Sequence, residues 1–409
     1  MSGKSIKIKM RNRKSGHKNM KFLMYGAGSI GRGFIGPLFA NAGYEVIFVD
    51  ISQSLIDEFN NQDSYSYTVA TESPYDVSVS NFRGINAADE KSIITEIADC
   101  DLMAVSVGSS NLKKIAPSIA KGFSLRMEQK GLPLNILICE NLMDSSQYLG
   151  DLLLSELPSE YKPLLDKKCG LVRTVIGRRA HTIPLNQNSL LHLTVDEYNY
   201  LPVDKDAFIG EPPSVEGLIP YSSFSFYEER KLYLHNMSHA VCSYLGLLKG
   251  YETMDQSIHD PFIRIFIQSA MIESAAMLSI KYNIPFNQIF DYAEELLLRF
   301  GNTALGDTCE QVCREPMRKL HSNDRLAGVL RQCPTYGVHP VYISLGYAAV
   351  LRHVTCDWEH AEKLARETGQ LSVQQSNLVM KLFHALSLST EELLETAETL
   401  KKDLRGSIV

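Results

Sequence analysis

The sequence predicts an α/β fold in its first half, with strands and helices alternating about a parallel sheet, followed by a mostly α-helical C-terminal domain. Three observations carry this. Short apolar runs of strand character alternate with helical stretches over roughly the first 200 of 409 residues. A glycine-rich turn joins the first strand to the first helix, and from about Tyr227 apolar residues recur at helical period almost to the end. A chain of this length exceeds one ordinary core, so the expected organisation is a basic tail over 1–19, an α/β domain over 20–222 and a helical domain over 223–409.

The elements follow in order. Residues 1–19 hold seven Lys or Arg and no acid. They lack the apolar core of a secretory signal and the bulky residues of a transit helix, so they read as a disordered extension, with Met20 as an alternative start. The remaining residues carry 34 basic against 47 acidic side chains, a net of −13 beside −6 for the whole chain, which argues against nucleic acid as a partner. No run reaches the roughly 18 uninterrupted apolar residues of a membrane helix. With 44 % apolar and 22 % charged residues, a soluble cytoplasmic protein with no membrane partner is expected.

Phe22-Leu-Met-Tyr25 reads as the first strand, and Gly26-Ala-Gly28-Ser29-Ile30-Gly31 as the turn into the first helix. The first glycine permits the tight turn, the second lets backbone approach a pyrophosphate, and the third lets helix pack on strand. Phosphates would rest on the free N–H groups at the helix start, around Gly28, Ser29 and Ile30. The second strand, Glu45–Val49, ends in Asp50, 19 residues past Gly31, where a carboxylate would accept both ribose hydroxyls. A solvated strand-end aspartate is the alternative for that residue alone. The full order of strand, glycine turn, helix, strand and acid predicts a Rossmann-type dinucleotide-binding domain, and Asp50 favours NAD over NADP because it would repel a 2′-phosphate. Pro37 inside the first helix removes a hydrogen bond and predicts a kink.

Tyr65–Val69 and Val77–Val79 alternate as an inserted hairpin. A helix over 90–99 leads to a strand over 102–107 and the loop Gly108–Asn111; a further strand over 135–139 ends in Glu140-Asn141. Ligands bind outside the carboxyl ends of parallel strands, which nominates Gly108 and Asn141 for the cofactor. Strand-like runs at 171–176 and 190–195 flank a turn-rich stretch, and Pro212, Pro213 and Pro220 break the chain. Helical periods then cover 228–250, 260–282, 286–300, 340–353, 360–368 and 374–403.

Eight cysteines are scattered, with only Cys309 and Cys313 close, and no neighbouring His or Cys pair completes a four-ligand set. Free thiols and no metal site are expected. The sequence carries no signature of an oligomeric state.

The second chemical signal opens the helical half: Lys231, Asn236 and His239. At about 100° per residue they span an arc of about 140° with the imidazole between the other two. Spacing alone favours a solvated polar face with a helix-start lysine. Hydride transfer from an alcohol, however, needs a base and donors to the oxygen. A buried lysine with a lowered pKa can be the base, Asn236 a donor and His239 the group that orients the oxygen. Glu228 and Glu229 could pass the proton to water, or serve helix-start electrostatics.

Lys-x5-Asn-x2-His behind a GAGxIGRGFIG first half resembles the long-chain polyol (mannitol) dehydrogenases. Ala116–Lys121, Cys139-Glu-Asn141, Arg299-Phe-Gly-Asn302, Arg314–Leu320 and Asp324-Arg-Leu326 agree with that family, and the similarity covers about residues 20–350. The resemblance implies NAD, no metal, Lys231 as general base, Asn236 polarising the oxygen and His239 binding substrate. It implies oxidation of a sugar alcohol or its phosphate to a ketose, with mannitol 1-phosphate and fructose 6-phosphate as the expected pair. The nicotinamide end is then expected against Lys231, Asn236 and His239.

One position departs from the family: Arg173-Thr174 stands where members carry Asn or Asp followed by Ser. Arg173 could donate to the oxygen or bind a phosphate or carboxylate, while Arg178, Arg179 and His181 could bind an anion or form a basic surface turn. Arg314 and Arg325 are the further candidate substrate anion contacts. The alternatives are a reductase of hexuronates such as tagaturonate or fructuronate, a free-polyol dehydrogenase, and, from another class, a non-catalytic dinucleotide sensor.

Overall fold

The computed structural model describes residues 20–71, 73–181, 189–303 and 306–406. The 1–19 tail and the His181 side chain lie outside what is described. The chain divides into two compact units, Met1–Phe224 and Ser225–Val409.

The first unit contains β1 (Lys21–Tyr25), β2 (Glu45–Asp50), β3 (Ser64–Val69), β4 (Tyr75–Ser80), β5 (Phe82–Asn86), β6 (Leu102–Val105), β7 (Leu134–Ile138), β8 (Cys169–Arg173), β9 (Ala180–His181), β10 (Thr194–Val195), β11 (Leu201–Asp204) and β12 (Leu218–Tyr221). Six of these form one wholly parallel sheet in the order β5-β2-β1-β6-β7-β8. The connections run outward in both directions from β1, so the strand order reverses between β1 and β6, the place where open parallel sheets receive ligands. Alternation along β1 sends Phe22 and Met24 into one apolar layer, with Phe34, Phe39 and Phe48, and Leu23 and Tyr25 into the other, with Ile97, Ile119 and Phe123. A central strand buried on both faces reads as an unbroken apolar run.

The expected hairpin is β3 and β4, in register from Ser64↔Ser80 to Val69↔Tyr75. It belongs to a second sheet, β4-β3-β10-β9, which the sequence reading had as a bare insertion. The strand expected over 190–195 shortens to Thr194–Val195, and β5 and the β11–β12 pair were not anticipated. The disturbance expected at Pro37 takes the form of a π-wound turn. The first helix runs over 29–41, and at Gly31–Ile35 its spacing widens, with Gly36 N–H donating to the Gly31 carbonyl five residues back. Widening the turn before Pro37 accommodates a residue that has no N–H and whose ring would strike the preceding turn.

The second unit is helical around one core. Its helices include Pro261–Tyr282, Phe286–Phe300, Val341–Val354 and Trp358–Glu367. The stretch expected as one helix over 374–403 is two, Val373–Ala385 and Thr390–Gly406. The break is a reciprocal cap: Ser389 N–H donates to Glu392 Oε2 and Glu392 N–H to Ser389 Oγ, which starts a new helix. Pro261–Tyr282 is long and apolar enough to cross a membrane by composition, but Phe266, Ile267, Ala270, Met271 and Leu278 are packed in the unit's core.

Candidate active site

The glycine turn of the first unit meets its three requirements separately. Gly26 has φ +102°, and a Cβ on it would stand 2.1 Å from the Ser106 carbonyl oxygen. A Cβ on Gly31 would stand 2.0 Å from the Gly26 carbonyl oxygen, so this glycine seats the helix on the turn. Gly28 is exposed with nothing within 4 Å of where its Cβ would be, leaving backbone open to an incoming group. Ser29 and Ile30, partly exposed, begin the helix, whose first N–H groups have no acceptor in their own helix. These residues fit a dinucleotide pyrophosphate.

Asp50 closes the turn as well as facing the strand end. Its Oδ2 accepts from Ala27 N–H at 2.9 Å and its Oδ1 from Ser52 N–H at 3.0 Å. Arg32, 6 % exposed, braces the same loop from below, donating from Nη1 to the Ala27 carbonyl at 2.8 Å and from Nε to the Leu191 carbonyl at 3.2 Å. Burial lowers its pKa.

At the ends of β6 and β7, Gly108 takes φ +86° and Asn141 is exposed. The residue that shapes this edge is Glu140, which the sequence places at the strand end without giving it a role. Glu140 Oε1 accepts from Val107 N–H at 2.7 Å and Gly108 N–H at 3.0 Å, with its pKa raised by burial. Its signal was the Cys139-Glu-Asn141 strand end.

Arg173 ends β8. Its Nε and Nη2 donate to Asp204 Oδ2 at 3.0 and 2.6 Å, and its guanidinium lies 5.6 Å from the Phe224 ring centroid. Arg178 and Arg179 form neither an anion site nor a surface turn. Arg178 is 5 % exposed, within 5.6 Å of the Phe34 and 5.3 Å of the Tyr67 ring centroids, and donates to the Asp196 carbonyl and Asn199 Oδ1. Arg179 is paired with Asp196. Asp196 and the two rings, remote in sequence, draw these arginines inward.

In the second unit Lys231, Asn236 and His239 share one continuous helix over 225–248, which is not uniformly α. Ser225–Glu229 and Met237–Leu248 are α-helical, while Arg230–Asn236 is π-wound. The expected arc assumed α geometry throughout. With i→i+5 spacing a turn takes more residues, so Lys231 and Asn236, five apart, are separated by little more than one turn and face more nearly the same way. Burial, then the Arg325 charge, lower the Lys231 pKa to about 8. Glu229 is held by an ion pair, both its oxygens receiving Lys281 Nζ at 2.7 Å.

His239 packs at 5.1 Å between ring centroids from Phe300, which belongs to the Arg299–Asn302 stretch, and His235 at 5.9 Å from the same ring. Arg325 carries Asp324 on Nε at 2.7 Å. The Arg314 side chain is exposed, but its carbonyl accepts from Lys319 Nζ. Lys319, only 2 % exposed, is lowered to about 8 by burial and then by Arg325 and Arg318. Thus Arg325 acts on two lysines at once. The motif Arg314–Leu320 located Lys319, but nothing in the sequence signalled its burial. Among the described residues no group of three or more His, Cys, Asp or Glu is placed to hold a metal ion.

Comparison with known proteins matches residues 20–217 to the mannitol dehydrogenase Rossmann domain and 224–402 to the mannitol dehydrogenase C-terminal domain. A mannitol-1-phosphate 5-dehydrogenase of Thermoanaerobacter pseudethanolicus is 33 % identical over 330 residues, covering 81 % of this chain and 85 % of that protein. One from Caldanaerobacter subterraneus is 31 % identical over 390 residues, covering 95 % of this chain and all of the relative. A substrate-free D-sorbitol dehydrogenase crystal structure shares the fold with a TM-score of 0.77 at 15 % identity, covering 93 % of this chain and 95 % of that one.

Proposed function

The chain belongs to the mannitol dehydrogenase family, whose two domain models it matches in order, and we propose that its substrate pair is mannitol 1-phosphate and fructose 6-phosphate. It is an NAD-dependent oxidoreductase acting on a CH–OH group of a polyol phosphate. The observation that carries the phosphate is the cationic cluster: Lys231 and Lys319, both held near pKa 8, lie within reach of the Arg325 charge. A substrate dianion brings such a cluster a counter-charge that a free polyol does not.

When bound, the dinucleotide supplies the hydride acceptor in oxidation and the donor in reduction. Neutral Lys231 Nζ takes the hydroxyl proton as the alcohol is oxidised, and the ammonium returns it in reduction. The Asn236 amide donates to the reacting oxygen as charge builds, and His239 orients that oxygen or an adjacent hydroxyl. Arg325, with Lys319 beside it, binds the phosphate. The step proceeds in this proposal without a metal, and the free thiols fit a reducing cytoplasm.

The test compares initial rates of NADH oxidation with fructose 6-phosphate, fructose, tagaturonate and fructuronate. Fructose 6-phosphate is expected to exceed fructose in kcat/KM by roughly 1,000-fold, because fructose lacks the anion that Lys319 and Arg325 would bind. Comparable rates with the uronates would instead assign the cluster to a carboxylate, and equal rates with fructose would remove the phosphate from the account.

A further inference from the structure

The π-wound segment between Lys231 and Asn236 receives a hydrogen bond from a side chain of another helix. Where the i→i+5 spacing of Arg230–Asn236 returns to i→i+4 at Met237, the register change leaves a carbonyl at the junction without an amide from its own helix, and a buried carbonyl requires a donor. Tyr233 lies at this junction, and its carbonyl accepts from Ser274 Oγ at 2.7 Å. The next two carbonyls, of Leu234 and His235, accept from Ser238 Oγ at 2.7 and 3.0 Å.

Ser274 sits within the Pro261–Tyr282 helix and is 0 % exposed. A serine inside a helix ordinarily bonds back to a carbonyl of its own preceding turn. This one reaches across to another helix, at the turn that sets the angle between two proposed site residues. The Tyr233 ring is also seated closely, since a Cβ on Gly328 would stand 2.7 Å from it.

We propose that Ser274 is a positioning residue for the reaction, its hydroxyl holding the widened turn that brings Asn236 round toward Lys231. The inference rests on the reading of Lys231 and Asn236 as the base and the donor. Removing the hydroxyl strands the Tyr233 carbonyl and favours a turn of ordinary α spacing, which rotates Asn236 away from Lys231.

The experiment measures kcat and KM for fructose 6-phosphate reduction, the NADH Kd and the melting temperature of Ser274→Ala and Ser274→Thr. In Ser274→Ala, kcat is expected to fall roughly tenfold or more, as misplaced groups cost rate, while KM and the NADH Kd stay within about threefold. Ser274→Thr, which keeps the hydroxyl, is expected to retain kcat within about threefold. A folded Ser274→Ala with wild-type kcat overturns the proposal, as does equal loss of kcat in folded Ala and Thr variants. If Ser274→Ala does not fold, Ser274→Cys, a weak donor of similar size, is expected to have a lower kcat than Ser274→Thr, and wild-type kcat there overturns the proposal. Turnover persisting in Lys231→Ala would sink the reading of the base itself. Loss of turnover in Lys231→Ala with none in Ser274→Ala sinks only the role of Ser274.

Discussion

The pH dependence of the chemical step gives the sharpest quantitative consequence of the Lys231 environment. Burial is the larger cause and the Arg325 charge the second, and together they bring this lysine from 10.5 to about 8. The sign follows from the role. Oxidation needs the neutral amine, so its rate rises with pH through about 8 and levels above; reduction needs the ammonium and falls over the same interval. At pH 7 a group titrating at about 8 is neutral in roughly one molecule in ten, whereas a lysine at 10.5 is neutral in roughly one in 3,000, so the environment is worth roughly 300-fold in active base. Replacing Arg325 with Gln removes the second cause and leaves the first, so the midpoint should move upward yet stay below 10.5. The assay is single-turnover NADH formation at saturating mannitol 1-phosphate and constant ionic strength, which isolates the chemical step and places the titration of the substrate phosphate in the binding term. A flat profile between roughly pH 6 and 10, or a midpoint unmoved in a folded Arg325→Gln protein, would refute the reasoning.

Three other outcomes follow from the geometry. Asp50→Ala removes the acceptor of Ala27 N–H as well as the carboxylate proposed to read the ribose, so it should weaken NAD binding and narrow the preference over NADP; unchanged preference in a dinucleotide titration would place ribose reading elsewhere. Gly31→Ala puts a methyl 2.0 Å from the Gly26 carbonyl oxygen, so denaturant unfolding should show a loss of about 1–3 kcal/mol together with weakened NADH binding, and wild-type values would show that the helix can move off the turn at no cost. Arg173→Leu leaves the buried Asp204 without its guanidinium, so stability should drop by roughly 2–4 kcal/mol with KM little changed; a raised KM at unchanged stability would return Arg173 to the substrate.

What the sequence revealed and what it hid divide along physical lines. Gly26, Gly28 and Gly31 were legible because each satisfies a local backbone requirement, and Asp50 because it ends an apolar strand. The edge strand β5 was not: Phe82-Arg-Gly-Ile-Asn86 lacks clean alternation, and its Gly84 is there because Ile56 and Phe59 of another helix press on it, within 3.1 to 3.3 Å of where a Cβ would stand. The π-wound turn was hidden because helical periodicity is read at a fixed angle per residue, and one added residue hardly alters an apolar pattern. Arg178 offers from sequence only an anion contact or a basic surface turn, and Lys319 only a place in the Arg314–Leu320 stretch, whereas the structure buries both, Arg178 against the distant Phe34 and Tyr67 rings and Lys319 with its ammonium on the Arg314 carbonyl. The expectation that Lys231 is a base came from the family resemblance of Lys231, Asn236 and His239, and the structure adds partial burial beside the Arg325 charge, both of which lower its pKa.

The central claim is that Lys231 moves the proton. The direct measurement is turnover of Lys231→Ala with fructose 6-phosphate beside a titration of the same protein with NADH. A folded Lys231→Ala protein is expected to bind NADH like the wild type and to turn over more slowly by roughly 100-fold or more, the scale of a lost general acid–base group. Near wild-type turnover, or loss of NADH binding in place of turnover, would contradict it.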